Sequence, residues 1–214
     1  MKYHKLVENA KKPNGFWGKM MIKAMNKGHS SLTSWGLEHM NIERTATVLD
    51  IGCGGGKTVD RLCSIVANGK VYGIDYSELS VKSSKKLNSK NILCNKAKIL
   101  QASVSDMPFD DNTFDNITAV ETYYFWPDKE NDVKEVFRVL KQGGTAMLLF
   151  EMLRTDDDPF KWEKVENMLN IKSVTPQEIR AVLESAGFEN INTYTKEGTT
   201  WLCATAQKPK DDEN

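Results

Sequence analysis

From Ala46 onward the chain alternates short apolar, β-branched runs with amphipathic helical patterns, and few architectures accommodate that alternation. Ala46 to Ile51 reads as a first strand, and Val59, Leu62, Cys63 and Val66 then mark one face of a helix. Lys70 to Ile74 is a second strand, followed by Ser77 as a helix cap with Glu78 in the first turn, where negative charge suits the helix dipole. Lys98 to Ala102 and Phe114 to Val120 are third and fourth strands. Val133, Val136, Phe137 and Leu140 share a helical face that Gly143-Gly144 is expected to end, before a fifth strand at Thr145 to Phe150. Thr175-Pro176 caps a helix carrying Ile179, Val182, Leu183 and Ala186 up to Gly187; Phe188 to Tyr194 and Thr200 to Ala206 form a closing hairpin. Repeated βαβ units of this kind imply a mostly parallel sheet with helices on both faces, a doubly wound α/β fold.

Two segments stand outside the alternation. Residues 13 to 42 form a helical extension rich in Met and aromatics, with Trp17, Met20, Met21, Ala24 and Met25 on one face and Trp35, Leu37 and Met40 beyond. Glu151 to Val174 is an insert holding Asp156-Asp157-Asp158, Phe160 and Trp162. With 214 residues, against about 150 per domain, the expectation is one domain: a helical cap over 1–42, the α/β domain over 43–207, and a frayed tail over 208–214.

Charge narrows the partners. The 29 Lys+Arg balance the 29 Asp+Glu, so no global field favours nucleic acid or an anionic membrane. The longest apolar run, Ala146 to Phe150, falls far short of the about 20 residues of a membrane span. Met1 to Lys5 carry no apolar export signal, which makes the cytoplasm the expected compartment. Cys53, Cys63, Cys94 and Cys203 form no C-x-x-C pair and have no histidine at metal-ligand spacing, so they read as reduced thiols packed as small hydrophobes, with no metal expected.

The sharpest local signal is Leu49-Asp50-Ile51-Gly52-Cys53-Gly54-Gly55-Gly56-Lys57-Thr58, a strand running into a glycine loop that opens a helix. A P-loop would need glycine at Ile51. A dinucleotide fingerprint would need its third glycine at Lys57 or Val59. What remains is G-x-G-x-G at Gly52, Gly54 and Gly56.

This stretch resembles the first motif of class I S-adenosylmethionine-dependent methyltransferases, and three further motifs follow in order. Val71-Tyr72-Gly73-Ile74-Asp75-Tyr76-Ser77 resembles the second-strand motif, whose terminal acid holds the ribose hydroxyls. Ser105-Asp106-Met107-Pro108-Phe109 with Thr113-Phe114-Asp115 is similar to the third loop and fourth strand, and Val139-Leu140-Lys141-Gln142-Gly143-Gly144 to the turn before the fifth. The motifs cover roughly residues 46 to 150, and the closing hairpin fits that family's seven-stranded sheet, whose last strand is antiparallel. The resemblance, to the small-molecule, type 11-like branch, implies S-adenosyl-L-methionine as cofactor. Asp75 would then hold the ribose hydroxyls, with the neighbouring Tyr76 a further cofactor-binding residue, and the glycines would give close backbone approach. Asp50 or Glu121, at the mouths of the first and fourth strands, would accept from the donor's ammonium group. Many relatives place an acid in the third-strand loop against the adenine amino group. Ser103 stands there, so Ser103 and the backbone of Val104 are the expected contacts, with Asp106 the alternative.

The acceptor side is marked by Glu121-Thr122-Tyr123-Tyr124-Phe125-Trp126-Pro127, which is not Asn-Pro-Pro-Tyr and so departs from methylases of adenine amines or glutamine amides. Tyr123, Tyr124 and Trp126 are candidate walls of an acceptor pocket, or anchors of the next helix. His29, between two helices of the extension, is a candidate general base or a helix cap, and Tyr123 is the other catalytic candidate. Lys82, Lys85, Lys86, Lys90, Lys96 and Lys98 lack aromatic neighbours for base stacking and read as a solvated face. The expectation is methyl transfer by in-line displacement to a small molecule. RNA or protein modification, and a non-catalytic donor-binding module, are the alternatives, with the oligomeric state open.

Overall fold

The computed structural model describes residues 13–210; the expectation about Met1 to Lys5 and the end of the polar tail lie outside the described residues. In chain order the elements are α1 (Gly15–Gly28), α2 (Ser30–Leu37), β1 (Thr47–Ile51), α3 (Lys57–Ile65), β2 (Lys70–Asp75), α4 (Glu78–Leu87), α5 (Ser89–Leu93), β3 (Ala97–Gln101) and β4 (Phe114–Val120). A single 3-10 turn (Tyr123–Phe125), α6 (Lys129–Val139), β5 (Leu140–Phe150), α7 (Glu163–Leu169), α8 (Pro176–Ser185), β6 (Glu189–Thr195) and β7 (Leu202–Gln207) complete it.

The seven strands form one sheet in the order β3-β2-β1-β4-β5-β7-β6. Strands β1 to β5 pair in parallel, and β7 lies antiparallel between β5 and β6. Alternation along each strand sends side chains to opposite faces. On β1, Leu49 joins a large cluster with Phe114, Ile117, Phe150 and Ile179, whereas Val48 joins Val59, Leu62, Val71 and Ile99 beneath α3 and α4. On β5, Leu148 and Phe150 face the first cluster, while Met147 and Leu149 meet Leu32 of α2. The approach of α2 is close: a Cβ at Gly36 would stand 2.7 Å from Leu149.

Caps fix the helix starts. The Ser77 hydroxyl accepts from Ser80 N at 3.3 Å, and Thr175 and Glu178 form a reciprocal capping box at the start of α8.

Four expectations need correction. Gly143-Gly144 does not end a helix: α6 stops at Val139, and the glycines sit inside β5, where Gly143 at φ +72° carries an irregularity between the Leu140 and Thr145 pairings. Lys208 is not frayed. It is buried, with Nζ donating to Asn112 Oδ1 and to the Phe137 carbonyl, each at 2.8 Å. Cys94 is exposed, unlike Cys53, Cys63 and Cys203. On α1, Trp17 and Met20 face outward and Ile22 is the buried residue, with Met21 half-buried; the side chains of Ala24 and Met25 lie outside the described residues. No helix among the described residues is long and apolar enough to cross a membrane.

Candidate active site

Winding reverses between β1 and β4: β2 and β3 extend the sheet on one side of β1, and β4 and β5 on the other. Loops leaving these two strand ends diverge and open a crevice, the usual ligand position in such sheets. A cleft of about 910 Å³, open solvent included, lies there, lined by both loops and roofed by Pro13, α1 and the start of α2.

Three of the four glycines of the β1 loop have positive φ, +68° at Gly52, +49° at Gly54 and +82° at Gly56, but they serve different ends. A Cβ on Gly52 would come within 2.3 Å of Thr122 Oγ1, so this glycine lets the β1 and β4 loops touch. On Gly54 it would meet nothing nearer than the Gly52 carbonyl at 3.9 Å, which leaves room for a ligand against bare backbone. On Gly56 it would strike Ser84 Oγ at 2.4 Å and Asn88 Nδ2 at 2.5 Å. Gly56 packs α3 against α4 and does not line the cleft, while Gly52 and Gly54 do.

Asp75 ends β2 at the cleft. Its Oδ2 accepts from Gly54 N at 2.9 Å and its Oδ1 from Ser77 N at 2.8 Å, so the carboxylate is oriented and keeps further lone pairs for a diol. Burial raises its pKa against the pull of those bonds. Tyr76 stands exposed on the rim. Asp50 lies deeper, taking a 2.8 Å hydrogen bond from Thr118 Oγ1, and burial pushes its pKa up to about 7. The nearby basic groups are engaged: Lys57 Nζ pairs with Asp60 at 2.9 Å, and Arg61 donates to the Ser30 carbonyl at 2.9 Å and its hydroxyl at 3.0 Å. Open backbone at Gly54, an oriented acid at Asp75 and, among the described residues lining the cleft, basic groups that are already engaged suit an adenosine-bearing sulfonium donor.

At the other end the cap meets the sheet. His29 precedes α2, whose first turn is tied to it by Thr33 N and Thr33 Oγ1, donating to the His29 carbonyl at 2.8 and 2.7 Å. Its Nε2 stands 4.0 Å from Glu151 Oε2, and burial lowers the imidazole pKa. Glu121 leaves β4 at φ +56°, its N–H bonded to Leu149 O at 2.9 Å. Its Oε1 accepts from the Glu151 N–H and from Tyr124 OH, and burial raises its carboxyl to about 8. One ligand atom from each of His29, Glu121 and Glu151 lies within 4.8 Å of the other two.

The aromatic run divides. A 3-10 turn eclipses residues three apart, and Tyr123 packs on Trp126 with centroids 5.2 Å apart. Tyr123 and Tyr124 also pack on Phe150; Tyr124 OH accepts from Met152 N at 3.0 Å, and Trp126 Nε1 donates to Thr122 Oγ1 at 3.2 Å. These three side chains are core. Phe125, which no motif singled out, lines the cleft. Tyr124 and Trp126 border a separate shallow depression with Asn170 and Lys172.

Ser103 and Val104 do not line the cleft either. Ser103 Oγ accepts from Ser105 N at 3.2 Å, Val104 is buried beside Met107, and Asp106 is exposed. Their loop is pinned from α6, where Arg138 donates to Phe109 O at 2.8 Å and Met107 O at 3.2 Å.

A family model described as a methyltransferase domain matches residues 49–148. The chain is 28% identical over 183 residues to the uncharacterized methyltransferase YdaC of Bacillus subtilis, covering 85% of this chain and 93% of the relative. It is 30% identical over 181 residues to the ubiquinone/menaquinone biosynthesis C-methyltransferase UbiE of Cronobacter sakazakii, covering 73% of this chain and 72% of that one. Among solved structures, a chain of the Haloferax volcanii complex between the Trm112 methyltransferase activator and a methyltransferase superposes with a TM-score of 0.74 at 20% identity, over 88% of this chain and 93% of that chain. At that identity the likeness is one of fold. Sequence kinship over most of a full-length relative, joined to the sheet order and the glycine cleft, makes this chain a member of the class I S-adenosylmethionine-dependent methyltransferases.

Proposed function

We propose that this methyltransferase acts on a small molecule, held between the sheet of the 43–207 region and the described part of the helical cap, residues 13–42, within the same domain. The observation that carries the reading is that one cleft, roofed by Pro13, α1 and α2, contains both the Gly54–Asp75 end and the His29–Glu121–Phe125 end. Donor and acceptor then share one enclosure, which a folded macromolecule would enter poorly.

Asp75 would hold the ribose hydroxyls, with Gly52 and Gly54 giving backbone contact and Tyr76 its ring at the rim. Asp50, or else Glu121, would receive the ammonium end. Ser103 and Val104, or Asp106, would reach adenine only if their loop moves toward the cleft. The bound donor supplies a methyl group on a sulfonium, which an acceptor nucleophile takes by in-line displacement as the sulfur keeps the bonding pair. For that step the chain mainly holds the two partners at attack distance, an effect worth about 7–11 kcal/mol in favourable cases. His29, kept neutral by burial, can take a proton from the acceptor, and Phe125 gives an apolar wall.

The test is calorimetric titration with S-adenosylhomocysteine, with NAD and ATP as controls, followed by transfer of label from radiolabelled donor to a panel of hydroxyl, amine, thiol and activated-carbon acceptors. Selective binding and a labelled small molecule are expected. Label entering bulk RNA or protein alone would overturn the acceptor class, and no binding by folded protein would overturn the donor site.

A further inference from the structure

The three polar side chains at the acceptor end come from distant parts of the chain: His29 from the α1–α2 junction, Glu121 from the end of β4 and Glu151 from the residue after β5. We propose that His29, Glu121 and Glu151 form a binding site for one divalent first-row transition-metal cation, a site that fills without the methyl donor and leaves Asp50 as the donor's ammonium partner, with His29 a ligand in place of a base.

Spacing is the first argument. Ligand atoms around a cation at about 2.0–2.2 Å stand roughly 3–4.4 Å from one another. The three candidate ligand atoms already lie within 4.8 Å of each other, and the His29 Nε2 to Glu151 Oε2 gap of 4.0 Å is too long for a hydrogen bond but suits an ion between them. Charge is the second. The partly buried Glu121 and the exposed Glu151 are brought side by side, and neither is ion-paired to a lysine or arginine among the described residues. Orientation is the third. Glu121 is aimed by hydrogen bonds from the Glu151 N–H and Tyr124 OH to one oxygen, as outer partners aim metal ligands, and its positive φ is a strained backbone of the kind that clusters at functional sites.

The donor set names the class of ion. One imidazole and two carboxylates suit Mn²⁺, Fe²⁺, Co²⁺ or Zn²⁺, whereas Mg²⁺ and Ca²⁺ prefer oxygen alone. His29 and Glu121 line the cleft, so remaining coordination positions would open toward the acceptor.

Cobalt(II) titration of the untagged full chain, without donor, tests this by visible absorption, with Mn²⁺ and Zn²⁺ followed by calorimetry. One equivalent should bind, with d–d bands and no thiolate charge-transfer band, which separates this site from Cys94. His29→Ala, Glu121→Gln and Glu151→Gln, each shown folded by circular dichroism, should each weaken binding by at least about 10-fold, the lower bound for losing even an outer partner. No binding at millimolar metal, or binding unchanged in these variants, overturns the assignment. So does saturable binding of tetramethylammonium in place of cobalt, which would make the pair of carboxylates an ammonium site. Because no donor is present, failure here leaves the donor reading standing, and failure to bind S-adenosylhomocysteine leaves the metal result readable.

Discussion

The Asp75 carboxylate accepts a hydrogen bond from the backbone N–H of Gly54 at 2.9 Å, joining the end of β2 to the glycine loop that follows β1. One side chain thereby orders the loop and presents its remaining lone pairs to the cleft. Asp75→Ala should weaken S-adenosylhomocysteine binding by about 1.5–3 kcal/mol, the range for a hydrogen bond to a charged group. Calorimetry on the folded variant checks this, and an unchanged dissociation constant would remove Asp75 from the donor site.

Gly54 and Gly56 look alike in the sequence and should fail differently. Gly56→Ala forces a Cβ into Ser84 and Asn88 and keeps a left-handed backbone, so a stability loss of about 2–4 kcal/mol is expected. Gly54→Ala meets open space and should cost only about 1–2 kcal/mol of stability, while reducing donor affinity where its methyl takes ligand space. Thermal melts set beside donor titrations separate the two outcomes.

That contrast shows what the sequence could and could not carry. The mostly parallel sheet with its antiparallel last strand, and the placement of Asp50, Gly54 and Asp75, were legible because they depend on periodicity and on motifs tied to the ends of strands. The direction of Phe125 was not. A single 3-10 turn decides which aromatic leaves the core, and three residues are too few to show a period. Glu151 was missed as a partner of His29 for a related reason: 122 positions of chain separate them, and only the pairing of β4 with β5 and the docking of α2 on β5 bring them together. The burial of Lys208 is likewise tertiary, set by the carbonyl of Phe137.

Stability of the ligand-free chain should fall as pH rises toward neutrality. Burial raises the carboxyl pKa of Asp50 to about 7 and also raises that of Asp75. A carboxyl with a raised folded pKa holds its proton more tightly when folded than unfolded. Its contribution is therefore complete below about pH 4 and is lost as pH climbs through the folded pKa. Calorimetric Tm values should decline between about pH 5 and 8, and Asp50→Asn should flatten the decline. A parent profile without that slope would contradict the raised acids.

Arg138 should matter to a loop it is not part of. It pairs with Glu135 and Asp111 and donates to the carbonyls of Met107 and Phe109, so it holds the segment carrying Ser103, Val104 and Asp106. Removing these bonds in Arg138→Ala should cost about 2 kcal/mol, a Tm drop of roughly 4–8 °C for a chain of this size. If adenine is read from that loop, donor affinity falls as well; a stability loss with unchanged affinity would move adenine recognition elsewhere.

The aromatic run offers a separation of packing from recognition in neighbouring residues. Trp126 is buried, packed at a tilt on Tyr123 and hydrogen-bonded to Thr122, so Trp126→Ala should cost about 3–5 kcal/mol and lower the yield of folded protein. Phe125 is half-buried with its ring at the cleft, and Phe125→Ala should leave the fold standing and donor affinity little changed while raising the acceptor KM. Label transfer measured over a range of acceptor concentration, beside a thermal melt of each variant, checks both. If Phe125→Ala has the parent's KM, the acceptor binds elsewhere in the cleft, and the wall opposite, built by Ile22 and Thr33 of the cap, becomes the next place to substitute.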